Sequence, residues 1–140
     1  MQTFLPYPDF KESAKCLDMR RLGKQRVEAY QLLSLMIYPE KNGWRRHPAF
    51  LMWDGYDIAL CYYGLAICNE WISRGYRDSI KFRIEDLMRI LPHGNADYPY
   101  WLGDESFHAA HRSNLLRKDW RYYSRFGWDE PNDLPYIWPR

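Results

Sequence analysis

Residues 48–74 constrain the fold more than any other part of this chain. The run is apolar on most faces, enters at Pro48, a residue suited to the first helical position, and stops at Gly75 just after Arg74. A helix without a polar face has to be surrounded, so this stretch is predicted to be a central helix that the other segments wrap. Gly55 and Gly64 are the points where it bends or admits a close neighbour. With 140 residues the chain is long enough to build that core as one domain, residues 1–140, without disulfides or a metal.

The flanking segments read as shorter helices. Ser13 is placed to cap one that ends at Leu22, with Gly23 as a break. Val27, Tyr30, Leu33 and Ile37 recur at helical spacing over 24–38, up to Pro39, and Lys41-Asn42-Gly43 forms a turn. Ile80, Ile84, Leu87 and Leu91 mark another helix, ended by Pro92. After a loop at 92–103, Asp104 caps a helix whose Phe107, Ala110, Leu115 and Leu116 face inward. Pro6 and Pro8 make residues 1–10 an extended arm, and the proline- and aromatic-rich tail from Gly127 is irregular. No alternating strand is present. The fold class is all-α: a compact helical bundle around a central apolar helix, with an extended N-terminal arm and an irregular aromatic C-terminal tail.

No apolar run approaches the ~20 residues that span a bilayer, so no membrane partner is expected. Pro6, Pro8, Asp9 and Lys11 interrupt the place where a signal-peptide core would lie. Cys61 and Cys68 are seven residues apart, roughly 10 Å along a helix and too far to bridge, so reduced thiols and a cytoplasmic location are expected. The net charge is only +2, but its distribution is uneven. Residues 11–26 carry six bases against two acids, and residues 112–125 carry five against one; Lys41, Arg45 and Arg46 add a third group. Converging on one face, these clusters would hold a polyanion; pointing apart, they are solvated surface. Aromatic residues reach 18%, with seven Trp and twelve Tyr, more rings than a small core easily hides, and exposed rings in a groove stack on bases.

Asp104, His108 and His111 form one stripe on the helix that Asp104 caps. Two His and a carboxylate suit zinc, but Arg112 beside them repels a cation and Asp104 is occupied as the cap, so no metal or other cofactor is expected. The pair reads as contacts to phosphate or base, or as a satisfied structural pair. Ser-His-Asp, Cys-His and glycine-rich phosphate-loop signatures are absent. The segment Leu17–Glu28 is the most informative. It crowds Arg20, Arg21, Lys24 and Arg26 across the Gly23 junction, where a new helix start would offer free N–H groups to an anion.

Arg20-Arg21-Leu22 with Arg26-Val27, His47-Pro48-Ala49-Phe50, Glu70 to Tyr76, and Trp120 to Phe126 together resemble the small, all-helical pyrimidine dimer DNA glycosylases of the endonuclease V type. Phe4 to Phe10, Arg21 to Glu28 and His111 to Lys118 are similar to the bacterial and phage branch grouped with that family. The likeness runs nearly end to end at low identity. It implies a monomeric enzyme on double-stranded DNA whose N-terminal α-amine attacks C1′ of a damaged nucleotide. An imine forms, β-elimination nicks the strand, a glutamate in the early basic helix assists, and a base opposite the lesion is flipped out. An α-amine suits the role, since its reference pKa of about 7.7–8.0 leaves far more of it unprotonated at neutral pH than a lysine at about 10.4.

By this resemblance Met1 supplies the nucleophile, and Gln2 is bulky enough to leave it in place. Aligning the Arg-x-Leu junction puts Arg21 where the family's glutamate falls, so the carboxylate comes from Glu28, two turns on, or Asp18, one turn earlier. Expected DNA contacts are Arg20, Arg21, Lys24, Arg26, Arg45, Arg46, His108, His111, Arg112, Arg117, Lys118, Arg121, Tyr122 and Arg125, with Trp120 or Tyr123 near the duplex. Two alternatives share the fold: a non-catalytic DNA binder, and an enzyme acting on another base or nucleoside through the His108/His111 face.

Overall fold

The computed structural model describes residues 1–38, 43–91 and 97–140, and among them the chain is all-α. The expected stops at Pro39 and Pro92, the Lys41-Asn42 part of the turn and the first half of the 92–103 loop lie outside the described residues. Seven α-helices are described: α1 (Phe10–Cys16), α2 (Met19–Ile37), α3 (Pro48–Trp53), α4 (Asp57–Ser73), α5 (Ile80–Ile90), α6 (Glu105–Lys118) and α7 (Trp120–Tyr123). Two 3-10 turns, Gly43–Arg46 and Ser124–Phe126, complete the set. Helix α4 is the central one, packed against α1, α2 and α5. Its Leu60, Tyr63 and Ile67 are fully buried with Leu22, Leu32 and Leu33 of α2, each such side chain contributing about 1.5–3 kcal/mol.

The central stretch is broken where one helix was expected. Gly55 sits at φ +89°, a conformation that ends α3 and turns the chain into α4. Gly64, inside α4, is where helices crowd: a Cβ there would lie 2.8 Å from the Ile84 side chain and 3.3 Å from that of Ala29.

At Gly23 the correction runs the other way. Asp9 caps α1, not Ser13, and the chain breaks at Leu17-Asp18, where Asp18 caps α2 by accepting the Arg21 N–H. Helix α2 then runs through Gly23 without interruption, since one glycine costs a helix only about 1 kcal/mol, and the missing side chain lets the Trp71 ring approach to 3.0 Å from where a Cβ would stand. No helix start exists at 23–26, so the free N–H groups expected there are absent.

The extended arm is buried rather than laid on the surface. Gln2 to Pro6 thread between α2 and α6, and side chains satisfy their backbone groups. The Phe4 N–H donates to Gln25 Oε1 at 2.9 Å, and the Leu5 N–H donates to His111 Nδ1 at 2.9 Å. The Tyr63 hydroxyl donates to the Phe4 carbonyl at 2.9 Å, and Arg112 donates to the Pro6 carbonyl at 2.8 Å. Trp53 donates its indole N–H to Thr3 Oγ1 at 2.9 Å. Asp104 caps α6 as expected, with its four apolar residues buried, and the tail from Gly127 has no helix.

All three cysteines are free and buried, and burial pushes each thiol up to about 12. Among the described residues no helix is long and apolar enough to cross a membrane.

Candidate active site

Because α2 is continuous, Arg21, Lys24, Gln25 and Glu28 fall at i, i+3, i+4 and i+7 on one face. That face, the start of the arm, the end of α6 and the tail enclose an open cavity of about 430 Å³. Met1, Arg20, Arg21, Lys24, Glu28 and Lys118 all line it, with Gln2, Gln25, Tyr136 and Trp138.

Glu28 is held by its surroundings. Its Oε2 accepts the Gln2 N–H at 3.0 Å and the Gln25 amide at 3.2 Å, while Oε1 faces Lys24 Nζ at 3.6 Å. The Gln25 amide also donates to the Gln2 carbonyl at 2.8 Å, so one glutamine ties arm and carboxylate together. The Met1 nitrogen is three bonds from the Gln2 nitrogen, which places it within roughly 7 Å of Oε2. His47 lies in the same electrostatic neighbourhood. Burial, then the Met1 amine, hold its imidazole below its ordinary value against the pull of Glu28. Its Nδ1 accepts the Ala49 N–H at 3.0 Å, capping α3, and its ring meets Trp138 edge-on at 5.7 Å.

Two of the basic clusters do converge. Lys118, at the end of α6, sits close enough to Arg21, Arg117 and Lys24 that burial and then these charges hold its ammonium below the ordinary value. Arg20, Lys24, Arg117 and Lys118 are exposed. Arg45 and Arg46 are exposed on the 3-10 turn before α3, with Arg45 over the Phe50 ring, and they do not line the cavity. Arg121 and Arg125 stay on the surface at α7 and the turn after it, Arg125 stacked 4.2 Å over the half-buried Tyr122. Trp120 is exposed beside them.

Other expected contacts are committed to the interior. His108 and His111 are fully buried, which removes both the DNA contacts expected of them and a catalytic face built on them. His111 accepts from Leu5 at Nδ1. His108 accepts the Gly103 N–H at Nε2 (2.9 Å), so its Nδ1 carries the proton and donates to the Leu5 carbonyl (2.7 Å). Both rings are neutral clamps on the arm.

Arg112, 8% exposed, has each of its three side-chain nitrogens paired inside the fold, with Glu130, the Pro6 carbonyl and Glu105, rather than turned to solvent for a phosphate. Arg26 is consumed by a salt bridge to Asp78 and lies 4.3 Å over the Trp71 ring. Tyr123 is buried and donates to Asp18. Asp18 fails as the alternative carboxylate. It caps α2, accepts from Arg21 and Tyr123, does not line the cavity, and lies about 15 Å along the helix from Glu28. Burial raises its carboxyl, but these hydrogen bonds outweigh burial and hold it below the ordinary range.

Among the described residues no group of His, Cys, Asp and Glu is arranged to hold a metal ion. Sequence reasoning missed Gln25, His47, Tyr136 and Trp138. Gln25 was within reach, since it shares a helical face with Glu28 once Gly23 is not treated as a break. Nothing local marks the two tail rings, which arrive from more than a hundred residues away.

A family model described as pyrimidine dimer DNA glycosylase matches residues 1–84, the part of the chain that contributes Met1, Arg20, Arg21, Lys24, Gln25 and Glu28 to the cavity. The match stops short of α6 and the tail, so it is narrower than the nearly end-to-end likeness expected. No curated protein and no solved structure matches the chain. With 84 of its 140 residues matched, this chain belongs to the pyrimidine dimer DNA glycosylase family.

Proposed function

We propose that the chain is a DNA glycosylase with abasic-site lyase activity, working through the Met1 α-amine with Glu28 as its carboxylate. The observation that carries this reading is the shared cavity: the start of the chain, a buried and oriented glutamate, and four cationic side chains line the same 430 Å³ space. An unprotonated amine attacks C1′ of the damaged nucleotide. The N-glycosidic bond breaks and the base leaves with the bonding electrons, taking a proton. Glu28 Oε1, the oxygen not committed to Gln2 and Gln25, stabilises the positive charge that develops on the sugar. Opening of the sugar ring gives an imine between Met1 and C1′. Removal of a C2′ proton then expels the 3′ phosphate and nicks the strand, and water releases the protein. Arg20, Arg21, Lys24 and Lys118 hold the flanking phosphates of double-stranded DNA.

Borohydride reduces such an imine to a stable amine, so it is expected to trap a covalent protein–DNA adduct on abasic DNA and on ultraviolet-irradiated duplex. Acetylating the chain start is expected to abolish the adduct. The reading requires a mature chain that begins at Met1 with an unblocked amine, which intact-mass measurement reads directly. Absence of adduct under conditions that trap a known lyase overturns the covalent mechanism and leaves a DNA-binding protein on this fold.

A further inference from the structure

Gln25 is 2% exposed on α2, and both ends of its amide are committed. Oε1 accepts the Phe4 N–H at 2.9 Å and lies 2.7 Å from the Tyr63 hydroxyl, whose proton it shares with the Phe4 carbonyl. Burial, and then the Glu28 charge, push that hydroxyl well above its ordinary value, so it remains a donor. Nε2 donates to the Gln2 carbonyl at 2.8 Å and to Glu28 Oε2 at 3.2 Å. The amide fits one way only. Turned over, its NH2 would meet the Phe4 N–H, and its oxygen would meet the Gln2 carbonyl and the Glu28 carboxylate.

The consequence falls on Glu28. Its Oε2 receives two N–H donors, from Gln2 and Gln25, so a proton reaching this carboxyl goes to Oε1. Oε1 is the oxygen that faces Lys24 of the cavity wall at 3.6 Å. The same NH2 group holds the carbonyl of Gln2, the residue next to Met1. One side chain thus registers the chain start and the carboxylate against each other.

We propose that Gln25 is a positioning residue for the reaction, holding Glu28 with Oε1 directed to the sugar while it fixes the chain start alongside. The inference rests on the glycosylase reading and deepens it, since Gln25 acts through Glu28 and Met1 and not on the substrate.

Two variants test it by single-turnover excision, from pH 5.5 to 8.5, on a duplex carrying one pyrimidine dimer. Gln25→Met keeps the length and loses both donors. Excision should slow by about 10- to 150-fold at every pH, the worth of one hydrogen bond to a charged group. Gln25→Glu keeps the acceptor for Phe4 and Tyr63. Protonated, the new carboxyl still donates to Glu28; ionised, it repels Oε2 and the Gln2 carbonyl. Its deficit against wild type should be small at acid pH and deepen as the pH rises, by up to about tenfold per unit. Affinity for a duplex with a tetrahydrofuran abasic analogue should match wild type in both. Excision at the wild-type rate, a Gln25→Glu deficit constant with pH, or a loss confined to affinity overturns the role. If one variant does not fold, the other decides. A wild type that excises nothing and traps no adduct sinks the glycosylase reading and this role with it, whereas an active wild type beside unaffected variants sinks only the role of Gln25.

Discussion

Acidification from pH 7.5 to 5.0 charges His111 in the unfolded chain but not in the folded one. Buried among apolar neighbours, with His108 beside it, the folded imidazole has its pKa brought down from 6.5 to about 3. Its Nδ1 is occupied as acceptor for the Leu5 N–H, so a proton there would also break a hydrogen bond. Between pH 3 and 6.5 the unfolded state binds more protons than the native state, and stability therefore falls as the pH falls through that window. At pH 5.0 the loss from this one side chain comes to about 2 kcal/mol relative to pH 7.5. His108 and His47, also held below their ordinary values with burial as the first cause, push the same way. Asp18 and Asp78 have carboxyls depressed from 3.8, so their share is lost only at more acid pH and does not blur the window. The assay is urea unfolding at half-unit steps from pH 4.5 to 7.5, on wild type and His111→Asn, whose Oδ1 can still accept from Leu5. The variant should start less stable and show a flatter pH dependence, by about 2 kcal/mol across the window. A variant whose pH dependence matches the wild type refutes the assignment of the acid sensitivity to this buried clamp.

Other outcomes follow from the same geometry. Glu28→Gln keeps an acceptor for the Gln2 N–H but removes the negative charge, so single-turnover excision should fall by about 10²- to 10⁴-fold while DNA affinity changes little. Lys118→Ala should reduce the slope of log K against log salt by about 0.9, the share of one phosphate. Arg112→Ala, by contrast, should leave that slope alone and cost about 3–5 kcal/mol of stability, because it strands buried partners at Glu130 and Pro6. Asp78→Ala should likewise destabilise by about 3–5 kcal/mol without altering the salt slope, since Arg26 serves the Trp71 platform rather than DNA.

The helices were legible in the sequence because the signals that make them are local. Apolar spacing over 80–91, Pro48 at a helix start, Asp104 as a cap and the paired prolines of the arm each act within a few residues, and each appears in the structure where it was read. The family was legible from short motifs of which the junction at 20–28 and His47-Pro48 lie within the matched part, whereas Trp120 to Phe126 lies outside it.

What the tertiary structure decided is which polar groups face inward. Local sequence marks Gly23 as a break, but in the fold it is the place where a tryptophan 48 residues away packs on an unbroken α2, and that continuity is what brings Glu28 onto the face of Arg21 and Lys24. His108, His111 and Arg112 look like surface chemistry until the arm, more than a hundred residues earlier, needs partners for its buried amides and carbonyls. A buried backbone group must find a hydrogen bond wherever the fold offers one. The side chains that answer it are chosen by three-dimensional packing, and no local spacing carries that information.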